Sequence, residues 1–508
     1  MRAKLVILLH YHLPYVRKRG VWPYGEEWIY EALLGCYLPL LNVFDEVKKL
    51  GIKSAITCSL TPILSEQLND PHIKSSFDNY LIKCQETTKL DIKDFELRGW
   101  NELAILASDW LSHLEKIESL WHSISGDFIG AMRKLECDCV IEIGTSSATH
   151  GILPLLDTQS IRKQLSVGLT SAQRNFGSKP FSFWLPECAY KPGLEKYLEE
   201  AQIGCVFLDS VAITGHFESP GTSFTKTESV VKDLDPKGTT FQPYFLGQSS
   251  VSFMARNFNL SKQVWSAKEG YPGDYRYREF HKRYEHSGNR YWRVTGDDVD
   301  LGDKSIYKPQ EAKGIAKEHA SHFIYRVKES VKDAPGDLVF LSFDAELYGH
   351  WWHEGTMWLK EVLLKANDDP NIELSTPKKY LSDNSAKVAA RPPKCTWGYG
   401  SDLRTWLHPE TQWMWNEIAT MSSAFYEIKS KIPSPRLLSQ LERELLLAQS
   451  SDWEFLVTTR QARAYGEDRF RIHMKAFWDL YQMIENGINP DIFALLSDVD
   501  NPFSFLEV

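Results

Sequence analysis

Short apolar runs recur along the chain: LVILLH at residues 5–10, SAITCSL at 54–60, CVIEIG at 139–144, FSFWL at 181–185, CVFLD at 205–209 and LVFLSFD at 338–344. Such runs, with little polar alternation, are the pattern of strands covered on both faces. Between the first two lies EWIYEALLGCYLPLLNVFDEVKKLG, whose apolar residues recur at helical spacing, with Gly51 as its stop. Two further long helical stretches are predicted over about 75–97 and 101–123. Strands alternating with helices imply βαβ units and a largely parallel sheet. Over this length, with polar residues at several strand C-termini, the pattern favours a closed α/β barrel over an open sheet.

Two segments break this rhythm. Residues 210–265 are rich in Gly, Ser, Thr and Pro and show little periodicity, which predicts an insertion over 206–265 that leaves the barrel and carries a mobile loop. From about 393 the strand pattern stops, and TWLHPETQWMWNEIATMSSAFYEI, SPRLLSQLERELLLAQSSDWEFL and EDRFRIHMKAFWDLYQMIE read as helices. The expected organisation is a catalytic barrel over 1–205 and 266–392, interrupted by the insertion, and a helical domain over 393–508.

Composition narrows the function. A net charge of −9, without a Lys/Arg run, argues against nucleic acid as a partner. The aromatic content of 17 Trp, 22 Tyr and 25 Phe exceeds what a core needs, and flat amphipathic rings are what neutral sugars stack on. Eight cysteines without a C-x-x-C pair read as reduced thiols, with Cys137 and Cys139 two residues apart in a strand-like run. The apolar run near the N-terminus is too short for a signal-peptide core, and no window approaches the roughly 18 residues of a membrane span. A cytoplasmic protein without membrane contact is expected.

Candidate chemistry lies at the ends of the predicted strands. HYHLPY places His10 and His12 two residues apart, so both face one side if extended. IEIGTSSATHG ends in His150, FWLPECAY presents Glu187, and FDAELYGHWWHEG presents Asp344 and Glu346 followed by His350, Trp351 and Trp352. Each has a plainer reading: a strand-end His is often a hydrogen-bonded loop residue, and an acid there can cap a helix. A parallel barrel, however, gathers strand C-termini at one mouth, where these groups would converge. Two carboxyls with histidines and indoles suit glycosidic-bond chemistry, one acid attacking or stabilising the anomeric centre while the other protonates the leaving oxygen. Spacing does not choose between Asp344 and Glu346. A metal hydrolase is the rival, since H-x-H plus Asp can hold zinc, but no H-E-x-x-H or cysteine cluster accompanies it.

HYHLPY, IGTSSATHG, FWLPECAY, FDAELYGHWWHEG and LLLAQSSDW resemble, in order, the five signature regions of glycoside hydrolase family 57, most closely its 1,4-α-glucan branching enzymes. QVWSAKEGYPGDYRYREFH, STPKKYL, CTWGYGSDLRTWL and the helical tail extend the resemblance over nearly the whole chain. The resemblance implies an incomplete seven-stranded (β/α) barrel, a TIM-like fold, and a retaining mechanism on α-glucan polysaccharide with no metal or other cofactor. It implies Glu187 as nucleophile and Asp344 as general acid/base. It also implies sugar contacts from His10, His12 and His150, from Trp265, Trp351, Trp397 and Trp406, and from Asp452 of the helical domain. The carboxyl environments should then push the two pKa values apart, Glu187 ionised and Asp344 protonated.

Branching passes the cleaved chain to a sugar 6-hydroxyl instead of water, which requires excluding water from the intermediate. Relatives of this kind use a loop with a tyrosine at its tip, here expected within about residues 225–262. Tyr244 is the one tyrosine between Ser210 and Tyr271, so it is the lid candidate, with a packing residue at the loop base as its alternative. The alternatives to branching are an α-amylase-type hydrolase or a 4-α-glucanotransferase on the same site, or an inactive glucan-binding protein.

Overall fold

A computed structural model describes residues 2–215, 238–432 and 434–507. Ten strands form one sheet: β1 (Ala3–Tyr11), β2 (Ile56–Leu60), β3 (Ile141–Ser146), β4 (Ser182–Trp184), β5 (Cys205–Leu208), β6 (Tyr244–Leu246), β7 (Ser252–Ala255), β8 (Leu338–Asp344), β9 (Ile372–Ser375) and β10 (Ala389–Ala390). Their order is β10-β6-β7-β5-β4-β3-β2-β1-β8, and β9 also pairs with β1. Every pairing is parallel except β6 with β7. The result is a curled half-barrel, the incomplete (β/α) architecture expected.

The twofold period of a strand decides which residues reach the inside. Along β1, Leu5, Ile7 and Leu9 point outward into the core beneath the covering helices, while Val6 and Leu8 point inward. Trp184, Cys205, Phe207, Met254, Leu338 and Phe340 join Val6 and Leu8 in that inner core. Continuing the same alternation carries His10, Asp209, Arg256 and Asp344 to the inner face at the strand C-terminal ends.

Helical spacing predicts one helix from residue 27 to Gly51, and the structure keeps it, with a π-turn at Leu33–Tyr37 between Glu27–Ala32 and Leu38–Lys49. At that turn Gly349 (φ 99°) lies so close that an added Cβ would sit 2.0 Å from the Gly35 carbonyl oxygen. Only glycine permits both the dihedral and the approach, which packs the loop after β8 onto this helix. The two long helices span Pro71–Leu97 and Asn101–Ser123.

Residues 244–265, expected to leave the barrel with the rest of 206–265, are instead part of it. β7 pairs with β5, β6 pairs with β7, and helix Phe258–Trp265 packs on β8. Short strands flanked by Gly and Ser lack the long apolar run that marked the others. Cys137 ends the helix Phe128–Cys137 and Cys139 occupies a left-handed turn, so the strand starts only at Ile141; both thiols are exposed. The C-terminal region is helical, with Gln412–Ile428, Pro435–Ala448, Asp452–Thr459, Arg463–Asn486 and Pro490–Val499, and its apolar residues share one core with Phe183, Val206, Leu208, Tyr244 and Phe253 of the sheet. Among the described residues no helix is long and apolar enough to cross a membrane.

Candidate active site

The strand ends meet as the parallel topology requires. His10 of β1 is in register with Asp344 of β8 and with Ser59 of β2. β3 ends at Ser146, four residues before His150, and β4 ends at Trp184, three before Glu187. Two of these side chains are aimed by uncommon backbone: His150 has φ 60°, Glu187 φ 59° and Cys188 φ 52°. Left-handed conformations cost non-glycine residues about 1–3 kcal/mol each and persist where the surroundings impose them. Trp397 supplies that constraint at Glu187. Its backbone N–H donates to the Glu187 carbonyl at 3.0 Å and its indole N–H to Glu187 Oε2 at 2.8 Å.

Around this carboxylate stand three imidazoles. The His12 and His150 rings stack with centroids 3.8 Å apart, and His10 Nε2 lies 3.0 Å from His150 Nε2. His10 stacks on Trp184, whose indole meets that of Trp397 edge-on. Burial first, and then the neighbouring imidazoles, hold His10 and His150 well below the usual histidine range, so both are neutral. His150 Nδ1 lies 4.0 Å from Glu187 Oε1, a polar contact between a neutral ring and the acid. The helical domain completes the wall. Ser451 Oγ meets His150 Nδ1 at 2.9 Å, and Asp452 Oδ1 meets His12 Nε2 at 3.1 Å. Ser450 Oγ in turn donates to Asp452 Oδ2 at 2.6 Å.

Burial pushes Glu187 up to about 8, with the Asp344 charge adding to it and the Trp397 hydrogen bond opposing it. Burial also raises Asp344, to about 6, against the pull of His12 and Arg256. The Glu187 side chain keeps 21% of its surface open to the cleft, so solvent moderates its rise. At neutral pH the facing acids therefore retain about one proton between them, as two like charges sharing a low-dielectric site must. The two values are separated as expected but in the opposite order, because His12 and Arg256 hold Asp344 down while the Asp344 and Asp452 charges push Glu187 up. Glu346 is the third acid. Burial, then Asp344, push it to about 8, and Tyr37 donates to it, so it sits behind the site as a hydrogen-bonded carboxyl.

Of the aromatic residues expected to touch sugar, Trp397 borders Glu187 as just described. Trp265 is partly buried against the outer core, and its indole nitrogen is buried without an acceptor among the described residues. Trp351 is 48% exposed beside His350. Trp406 corrects the expectation: it is fully buried, enclosed by Gly398 and by Trp415, which donates to its carbonyl. The apolar pattern of RTWL is that of a core residue, and no ring face is free for a sugar. Tyr244 is a second correction. It lies in β6, buried and stacked on Phe253, with its hydroxyl bonded to the backbone of Thr239 and to Gln242. It is the packing residue at the loop base, not a loop tip, and residues 225–237 of the expected lid lie outside the described residues.

Sequence reasoning missed Arg256 and Asp209, an ion pair on the inner rim with Arg256 over the Trp397 ring at 5.4 Å. Asp209 directly follows a run legible as a strand, so the strand-end rule that found Glu187 would have found it, whereas Arg256 follows β7, which is too short to be read from the sequence. Thr61, on His12 Nδ1 at 3.1 Å, and Ser451 carried no comparable signal.

A curled parallel half-barrel with coupled buried carboxyls and a polar, aromatic cleft at its strand C-termini defines the class: a carbohydrate-active enzyme of the glycoside hydrolase kind. The comparisons make this specific. The description "Glycosyl hydrolase family 57" matches residues 6–391 and "1,4-alpha-glucan branching enzyme, C-terminal" matches 412–508. The chain belongs to glycosyl hydrolase family 57. It is similar to a 1,4-alpha-glucan branching enzyme of Thermococcus kodakarensis, 37% identical over 99% of this chain and 78% of that protein. The crystal structure of a family 57 branching enzyme from that archaeon, in complex with glucose, superposes at TM-score 0.92 and 36% identity, covering 100% of this chain and 96% of that one. An alpha-amylase structure from Thermotoga maritima reaches 0.86 at 28% identity, covering 100% and 99%.

Proposed function

We propose that the protein is a retaining 1,4-α-glucan branching enzyme, with Glu187 as nucleophile and Asp344 as general acid/base. The observation that carries this reading is the indole clamp on Glu187 facing a second buried carboxyl, on a chain similar from end to end to branching enzymes. Of the pair, Glu187 has the higher pKa, so the reacting form is the one in which the shared proton sits on Asp344. A Glu187 oxygen then attacks the anomeric carbon while Asp344 passes its proton to the departing glucan oxygen. The 6-hydroxyl of a second glucan displaces Glu187 from the glycosyl ester and returns a proton to Asp344. Neutral His10 and His150 suit sugar hydroxyls, because they bring hydrogen-bonding capacity without a competing charge. Trp265 and Trp351 belong to outer glucan subsites in this reading, and Asp452 orients His12. Synthesis of a glycogen-type polymer in the cytoplasm accords with it, as do sparse cysteines without a disulfide framework.

Hydrolysis is the second reading, favoured by one observation. Tyr244, the one tyrosine between Ser210 and Tyr271, is committed to the sheet, so that segment offers no tyrosine to shield the intermediate from water. Amylose incubation separates the two. New α-1,6 linkages with few reducing ends support branching, and abundant reducing ends without α-1,6 linkages sink it. A Glu187→Gln variant with full activity would overturn the site assignment.

A further inference from the structure

A second cavity, of about 230 Å³, opens between helix Asn101–Ser123, the 278–309 segment and the loop after β8, and shares none of the carboxyls or imidazoles of the cleft. Its polar lining holds the guanidiniums of Arg278 and Arg290, the imidazoles of His113 and His353, which burial keeps neutral, and the phenols of Tyr291 and Tyr307, the first of them donating to Asp91. Asp109 is the one carboxylate among the lining residues.

The two guanidiniums are unusually short of counter-charge. Neither has a carboxylate within ion-pair distance among the described residues. Arg278 rests on the Trp110 ring at 5.0 Å and Arg290 on the Phe280 ring at 4.6 Å. Arg290 Nε donates to the Phe280 carbonyl at 2.8 Å, but its Nη2 is buried with no acceptor among the described residues. Glu354 spends one oxygen on the Arg278 backbone N–H, and Glu31 bridges to Arg283 at 3.6 Å. Burial, then repulsion from Arg278 and from Arg283, lower Arg290 to about 10, against the opposing pull of Glu31. Buried polar groups are normally satisfied, so an orphaned guanidinium N–H beside a cavity points to a ligand that supplies the acceptor.

We propose that this cavity is a binding site for a small phosphate monoester, its phosphoryl oxygens held by Arg278 and Arg290 and its compact body against Leu106, Pro39, Pro309 and Met357. Three terminal oxygens match the number of convergent donors better than the two of a carboxylate, and paired guanidinium forks are suited to such an oxyanion.

The test is isothermal titration of the full chain with glucose 6-phosphate, inorganic phosphate and glucose, each with the cleft saturated by maltooligosaccharide. Glucose 6-phosphate should bind one-to-one, inorganic phosphate at the same site about tenfold more weakly, and glucose not at all. Arg290→Gln should weaken phosphate-ester binding about tenfold or more, the loss of a charge-assisted bond, and leave amylose turnover without the ligand unchanged. Met357→Trp, at a rim position 38% exposed, should block entry without removing a charge. No binding by either phosphate species, equal binding by glucose, or unchanged affinity in both variants would overturn the proposal.

Discussion

Replacing Trp397 by Phe isolates the link between the indole clamp and the charge of Glu187. The substitution keeps an aromatic ring beside Trp184 but removes the N–H that donates to Glu187 Oε2 at 2.8 Å. A hydrogen bond to a charged group contributes about 1.5–3 kcal/mol. At 1.36 kcal/mol per unit, its loss raises the Glu187 pKa by about 1–2 units, because the bond favours the ionised form. An attacking Glu187 must be ionised while Asp344 keeps the proton, and Glu187 has the higher pKa of the pair, so its titration sets the alkaline limb of kcat/KM. That limb should therefore move up by about 1–2 units, with activity at pH 7 falling about 10–100-fold and approaching the parent's above the new limb. The assay is the initial rate of chain transfer on amylose from about pH 5 to 10. A loss of the same factor at every pH, with the limb unmoved, would refute the reasoning and reduce Trp397 to a sugar-stacking surface.

Other consequences are equally direct. Glu187→Gln should be more heat-stable than the parent, and the gap in Tm should widen from pH 5 to pH 8. The folded carboxyl, raised to about 8, holds its proton where the unfolded one does not, so stability drains away as pH rises across that window, by roughly 2–3 kcal/mol after allowing for partial solvent access. A gap independent of pH would show that Glu187 ionises normally. Asp452→Ala removes the partner of His12 Nε2 and should lower kcat about 10–100-fold without altering the circular dichroism spectrum; an unchanged rate would reduce Asp452 to a docking residue. Tyr37→Phe leaves the buried Glu346 without its phenol donor and should destabilise by about 1–3 kcal/mol in urea unfolding. Tyr244→Phe should cost a similar amount and leave the ratio of α-1,6 linkages to reducing ends unchanged, whereas a shift toward reducing ends would restore it as a lid residue.

The sequence by itself determined where six of the ten strands lie and what stands at their ends. Continuous apolar runs are unambiguous, and the twofold alternation within them already places His10, His12 and Asp344 on the same sides as their inner-core neighbours. The motif order carried the family. Tertiary structure decided the rest, since it depends on partners distant in the chain. Trp397 reaches Glu187 across 210 residues and Asp452 reaches His12 across 440, separations that no local pattern encodes. Trp406 read as sugar-facing and Tyr244 as the lid candidate or a packing residue, but whether an aromatic ring meets a cleft or a core is settled by what packs against both its faces. The order of the Glu187 and Asp344 pKa values was likewise invisible. It follows from which acid has Arg256 and His12 as neighbours, and Arg256 arrives on β7, a strand too short to announce itself.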